Sequence, residues 1–152
     1  MASRHFLSHL LLLGGLFFCF SSIVRAQEEA EFNPSCFNVE LSLMMPVAYP
    51  LKSLSYGYSI GLRNDTAFVC LPYVGRVYQP GFDHDGLTFE LPVKQYTVCV
   101  EEEETRVEFR VKKAAAVYRF VVTAYFDGRA DVMMVPEHAQ SISYSGFWNG
   151  DK

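Results

Sequence analysis

The chain has 152 residues, half of them apolar, with 13 Lys+Arg against 17 Asp+Glu and a formal charge of −4 at neutral pH. That length and apolar content support one domain with a real core, which excludes disorder as the governing state. The acidic balance argues against nucleic-acid binding, because phosphates require a basic face.

The N-terminus, MASRHFLSHLLLLGGLFFCFSSIVRAQ, places Arg4 ahead of an apolar run from about Leu10 to Phe20 and ends in Val24-Arg25-Ala26. A basic start, a short apolar stretch and small or β-branched residues at the cleavage positions mark a secretory signal over residues 1–26. The run is short for a bilayer crossing, and no later stretch is long and apolar enough. Cleavage removes Arg4 and Arg25 but no acid, leaving 126 residues at a formal charge of −6. The expected product is secreted and extracellular, without a membrane span. Residues 27–35 form a short extension, 36–148 a single domain and 149–152 a tail.

Within that domain the dominant period is two. Phe37 to Met45 sets Phe, Val, Leu, Leu and Met on one side, with Asn38, Glu40 and Ser42 among the alternate positions, as a half-buried strand does. LSYGYSIGL, from Leu54 to Leu62, alternates without a fault, and its glycines suggest close backbone approach or something flat lying over that side. Asn64-Asp65-Thr66 is the one usable glycosylation sequon, placed between two strand-like runs. TAFVCL and YVGRVY then read as short strands broken by Pro72. LTFELPV and QYTVCV follow, and Pro92, which has no donor for a ladder, predicts an edge or a bulge there. TRVEFRV continues the alternation, AVYRFVVTAYF reads as a long central strand, and Asp127-Gly128 is a hairpin signal leading into RADVMMV. SISYSGFW closes the series. The prediction is an all-β, antiparallel β-sandwich of about seven to nine strands.

Few residues suggest chemistry. GFDHDGL, residues 81–87, resembles the start of a calcium loop through Asp83 and Asp85. It lacks the further oxygens and distal glutamate of that pattern, so it reads first as a turn, with Asp83 and Asp85 as a weak cation site. Only His84 and His138 survive signal removal, and no nucleophile elbow, zinc motif or phosphate loop appears. A non-enzymatic protein without cofactor is expected. Glu101-Glu102-Glu103-Glu104 must face water, as a solvated turn or as a docking surface for a basic partner or for divalent cations.

Cys36, Cys70 and Cys99 remain after cleavage, and the simplest arithmetic is one bridge and one leftover thiol. Cys70–Cys99 is the preferred bridge, because both lie in strand-like segments of the domain centre. Cys36 is then free or intermolecular. The aromatic surplus points to contact with another molecule. The expected interface comprises Tyr56 and Tyr58 with Tyr144, Phe147 and Trp148 of the last segment.

CFNVELSL, FVC, LTFELPVKQYTVCV and VYRFVV together resemble the N-terminal module of zona pellucida domains. The likeness rests on Cys36 opening an alternating strand, with Cys70 and Cys99 on later strands. It implies a small secreted sandwich that polymerises or mediates recognition in extracellular coats, and it too implies a Cys70–Cys99 bridge. The family's fourth cysteine is missing here, and the glycine after its third is Val100. The function expected on these grounds is contact with an extracellular protein, or self-association, in a coat or matrix. The alternative is a recognition or defence protein that binds a glycan or small ligand on the face of SYGYSIG.

Overall fold

The computed structural model describes residues 31–78 and 86–150. They form nine antiparallel strands, and no helix occurs among the described residues. The strands are β1 (Phe37–Pro46), β2 (Lys52–Ser53), β3 (Ser59–Arg63), β4 (Thr66–Leu71), β5 (Leu87–Val100), β6 (Glu104–Lys113), β7 (Ala116–Tyr125), β8 (Arg129–Pro136) and β9 (Ile142–Gly150). From β3 onward each strand pairs with the next, and β1 pairs with β3 on one side and β9 on the other. The sheet therefore closes on itself. β1 and β3 to β9 make an eight-stranded barrel, while β2 occupies the edge of β1 past the point where β3 stops.

The all-β, antiparallel expectation holds, but the architecture is a barrel and not a sandwich. Alternation buries one face of each strand whether two sheets are stacked or one sheet is curled, so the period could not separate them. Closure depends on β1 meeting β9 along its whole length, from Phe37 opposite Gly150 to Pro46 opposite Ile142. A bulge between Leu41 and Leu43 bends β1 there, the usual way to add curvature and twist to a strand.

The inward side chains fill the barrel. Val39, Ile60, Leu87, Val107, Phe109, Phe120, Val122, Met134 and Tyr144 are essentially inaccessible, and Phe109 and Phe120 stack at 5.4 Å in the interior. Burying side chains of this size contributes roughly 1.5–3 kcal/mol each. At one end, three tight turns (Asn64-Asp65, Glu101–Glu103 and Phe126–Gly128) sit beside Phe32, which packs against Phe37 and Trp148. At the other end the segment after β4 folds across to the β8–β9 connection. There Val77 bridges Ala139, Tyr73 Oη donates to the Gln140 carbonyl at 2.8 Å, and Tyr78 N–H donates to the His138 carbonyl at 2.9 Å.

Tyr144 ties that cap to the core, its hydroxyl donating to the Pro72 carbonyl at 2.6 Å. Burial, with the nearby Tyr73 adding to it, holds this hydroxyl well above the ordinary tyrosine range. The unfolded chain releases the same proton near pH 10. The stabilisation is therefore complete below about pH 10 and is lost progressively as pH rises beyond it. Tyr144→Phe is expected to cost about 1–2 kcal/mol at neutral pH by leaving the Pro72 carbonyl unsatisfied, and to flatten the alkaline decline. Urea midpoints at neutral and alkaline pH check both; equal alkaline slopes in the two proteins would contradict the assignment.

Several local expectations change. LSYGYSIGL is extended only from Ser59 onward, because Gly57 adopts φ +103° and throws the preceding residues into an arch. YVGRVY is the cap just described, not a strand. LTFELPV and QYTVCV are one strand, β5, with its irregularity between Lys94 and Thr97, shortly after Pro92, where Gln95 has φ +54°. Packing also extends past the expected domain bounds of 36–148, since Phe32 is buried and β9 reaches Gly150.

Candidate interaction groove

The polar side of β1 carries Asn38, Glu40 and Ser42 outward, which follows directly from Phe37, Val39 and Leu41 pointing in. β9 lies beside it in register, with Phe147 opposite Glu40 and Asn149 opposite Asn38, so Phe147 and Asn149 share that outer face. On the other flank the chain returns from β2 to β3 along β1. Leu54 N–H donates to the Ser42 carbonyl at 2.8 Å, and Leu41 N–H donates to the Tyr58 carbonyl at 3.0 Å. Between these two attachments Ser55, Tyr56 and Gly57 arch away. The result is a groove of about 500 Å³ on the outside of the barrel, floored by β1 and walled by the arch and by β9. That is within the size range of ligand pockets.

Two side chains dominate its rim. Tyr56 is completely exposed and Phe147 is 57% exposed, whereas Tyr58 is half-buried against the core. Of the two expectations for the glycine face, Gly61 shows close backbone approach and no open floor. A Cβ there would fall 2.8 Å from the Phe37 carbonyl oxygen and 3.2 Å from Asn38 Oδ1. The groove presents aromatic rings with amides and a carboxylate. It can stack or bury an apolar group while hydrogen-bonding a polar one.

Three of the five expected interface residues, Tyr56, Tyr58 and Phe147, thus meet at one place. The other two do not. Tyr144 is fully buried, and Trp148 is 8% exposed, its Nε1–H donating to the Tyr125 carbonyl at 2.7 Å. Both belong to the interior because strand alternation puts every second residue of β9 inside. The sequence reading missed Asn38, Glu40 and Asn149; their signal was the polar phase of the alternation, read as mere solvent contact.

The remaining expected sites are dispersed. Cys70 and Cys99 are both free thiols, the first half-buried and the second exposed. Cys70 lies opposite Thr88 near the start of β5, and Cys99 lies near the end of that strand. Roughly 35 Å of extended chain separates those levels. A disulfide needs Cα atoms within about 7 Å, so the predicted bridge is corrected. The sandwich and the bridge implied by the zona pellucida likeness are therefore both missing. Cys36 is half-buried just before β1, its N–H donating to the Asn33 carbonyl at 3.1 Å. Asn64 and Asp65 form the exposed β3–β4 turn, at φ +49° and +59°. Asp83 and Asp85 lie outside the described residues, as does the expected signal; among the described residues no three metal-binding side chains converge.

Residues 29–148 match the sequence profile of a family described as a domain of unknown function, DUF4251. Among solved structures, the barrel is similar to a DUF4251 family protein from Bacteroides eggerthii. The TM-score is 0.59 at 13% identity, covering 77% of this chain and 80% of that one. No curated protein matches the chain.

Proposed function

Since the chain belongs to the DUF4251 family, whose description assigns no activity, we propose from its own surface that it is a secreted, non-enzymatic protein acting by contact with another extracellular protein. One observation carries this reading: large apolar side chains are exposed together along the β1–β3 connection and the neighbouring β9. Val47, Tyr49 and Leu51 are each at least half exposed on that connection, and Tyr56 and Phe147 are exposed at the groove. From Pro46 to Tyr58 the sequence holds one charged side chain, Lys52. Exposed aromatic and aliphatic surface with little charge is the composition of interface centres, and a patch of this kind on a small protein marks a contact surface. The signal-like N-terminus supports export, and Asn64, exposed at a turn, is the proposed glycan attachment point.

A second reading rests on Asn38, Glu40 and Asn149 beside Tyr56. A sugar ring offers an apolar face to an aromatic and hydroxyls to amides and carboxylates, so a glycan suits the floor of the groove. The two readings separate experimentally. With immobilised protein and the extracellular fraction of the producing cells, the Tyr56→Ser/Phe147→Ser pair is expected to lose at least about 2 kcal/mol of protein binding, roughly thirtyfold. Its melting temperature is expected to be unchanged, as exposed positions rarely shift stability beyond about 0.5 kcal/mol. Undiminished protein capture would refute the contact reading. Glycan-array binding lost on Asn149→Ala would favour the sugar.

A further inference from the structure

Opposite the groove, around the eight-strand ring, lies the β5–β6–β7 face. Its register sets Lys94 directly across from Arg110, and Arg110 directly across from Arg119. Lys112 stands two residues beyond Arg110 on the same side of β6. Like charges directly opposite on a sheet are destabilising, since their Cβ atoms are only about 5 Å apart. Arg119 is relieved by Glu108, with Nη1 to Oε1 at 3.4 Å. Lys94, Arg110 and Lys112 are exposed and have no ion-pair partner among the described residues. A net-negative protein thus maintains a cationic row across its sheet.

The same hairpin carries the opposite charge at its tip. Glu101, Glu102 and Glu103 form the exposed β5–β6 turn, and Glu104 is engaged with Arg106 at 2.9 Å. Along the outward side of β6 the order is Glu104, Arg106, Glu108, Arg110, Lys112, acidic at the turn and basic at the far end. Tip and row are roughly 25 Å apart on the extended hairpin, so the tip cannot reach its own row. Two such hairpins laid antiparallel bring each tip onto the other's row at once. A surface that is acidic at one end and basic at the other is self-complementary about a two-fold axis.

We infer that the protein forms a symmetric dimer through its β5–β6 hairpins, the Glu101–Glu103 tip of each copy seated on the Lys94, Arg110 and Lys112 row of the other. This contact is independent of the aromatic groove and leaves both copies' grooves on the outside of the pair. Each exposed ion pair contributes little, so the association is salt-sensitive and relies on the doubling that symmetry provides.

Sedimentation velocity of the purified protein over about a hundredfold concentration range tests this. A dimer is expected at low ionic strength and a monomer in about 1 M salt, where screening shortens to about 3 Å. Lys94→Glu/Arg110→Glu and Glu102→Lys/Glu103→Lys are each expected to weaken dimerisation at least about tenfold, because like charges then face each other. Mixing the two variants is expected to restore a heterodimer, since every tip again meets a row of opposite sign. Circular dichroism and melting confirm that both variants are folded. A wild-type protein that stays monomeric throughout overturns the inference, as does a mixture that does not recover association. A wild-type monomer that binds a sulfated polyanion in a salt-dependent way overturns it too and reassigns the row to that ligand.

Discussion

Replacing Phe120 by alanine is expected to cost about 3–5 kcal/mol, the range for removing a large aromatic from a close-packed interior. Phe120 is inaccessible to solvent, stacks on Phe109 at 5.4 Å and lies 6.4 Å from Phe89. Its neighbours come from three strands of a closed ring, and a ring relaxes poorly into a void because each strand is held on both sides. Small domains have only about 5–15 kcal/mol in total, so the variant should lie near the limit of folding. The measurement is a denaturant titration, with a companion fall in Tm of about 10–20 °C. The size of the loss also reports on the barrel itself. Eight-stranded barrels either fill their interior with side chains or hold a small ligand. A cost below about 1.5 kcal/mol would mean that the interior is not packed at Phe120.

Gly146→Ala is the second large effect, and here the sign is at issue. In an ordinary strand, replacing glycine by alanine gains about 0.5–1 kcal/mol through reduced chain entropy. Gly146 pairs with Leu41 at the bulge of β1 and with Ala130 of β8. A Cβ there would overlap the Glu40 carbonyl oxygen and come within 2.9 Å of the Leu41 Cα. These are backbone atoms, so no flexible side chain can swing aside, and the seam between β1 and β9 must open. A net loss of about 2–3 kcal/mol is expected. Amide exchange should accelerate first in β1 and β9, before β6 and β7. An unchanged or raised stability would show that the bulge accommodates the methyl group.

How much could be read from the residues alone differs from element to element. β6 and β8 were legible because each keeps one apolar face, and β7 through its length and apolar content. β1 was legible up to its bulge, past which Met44 is buried in place of the expected Leu43 and Met45. Asp127-Gly128 announced its turn. There Gly128 takes φ +89°, and the Arg129 N–H donates to Asp127 Oδ1 at 3.0 Å, which with the Arg129 side chain holds that carboxyl below the ordinary range. The closure of the ring was not legible, because β9, the strand that closes it against β1, lies about a hundred residues away and leaves no local periodic trace. The three cysteines gave a parity argument, and parity says nothing about distance along β5. Tyr144 and Trp148 looked like contact residues because each has a polar tip, yet both tips are satisfied indoors by the carbonyls of Pro72 and Tyr125. Tyr56 and Tyr58 both line the groove, by way of the arch at Gly57 and not of the strand that the alternation suggested.

The pairing of β1 with β9 also governs the order of events when the chain is made. A polypeptide delivered from its N-terminus presents Phe37–Pro46 well before the neighbour on one flank of that segment, Ile142–Gly150, which follows about a hundred residues later. Until then β1 has an unsatisfied hydrogen-bonding border, of the kind that recruits stray strands. Completion must wait for the whole domain, and such long-range joining is slow. Loss of Ile142–Gly150 would therefore reopen the first strand as well as remove its partner.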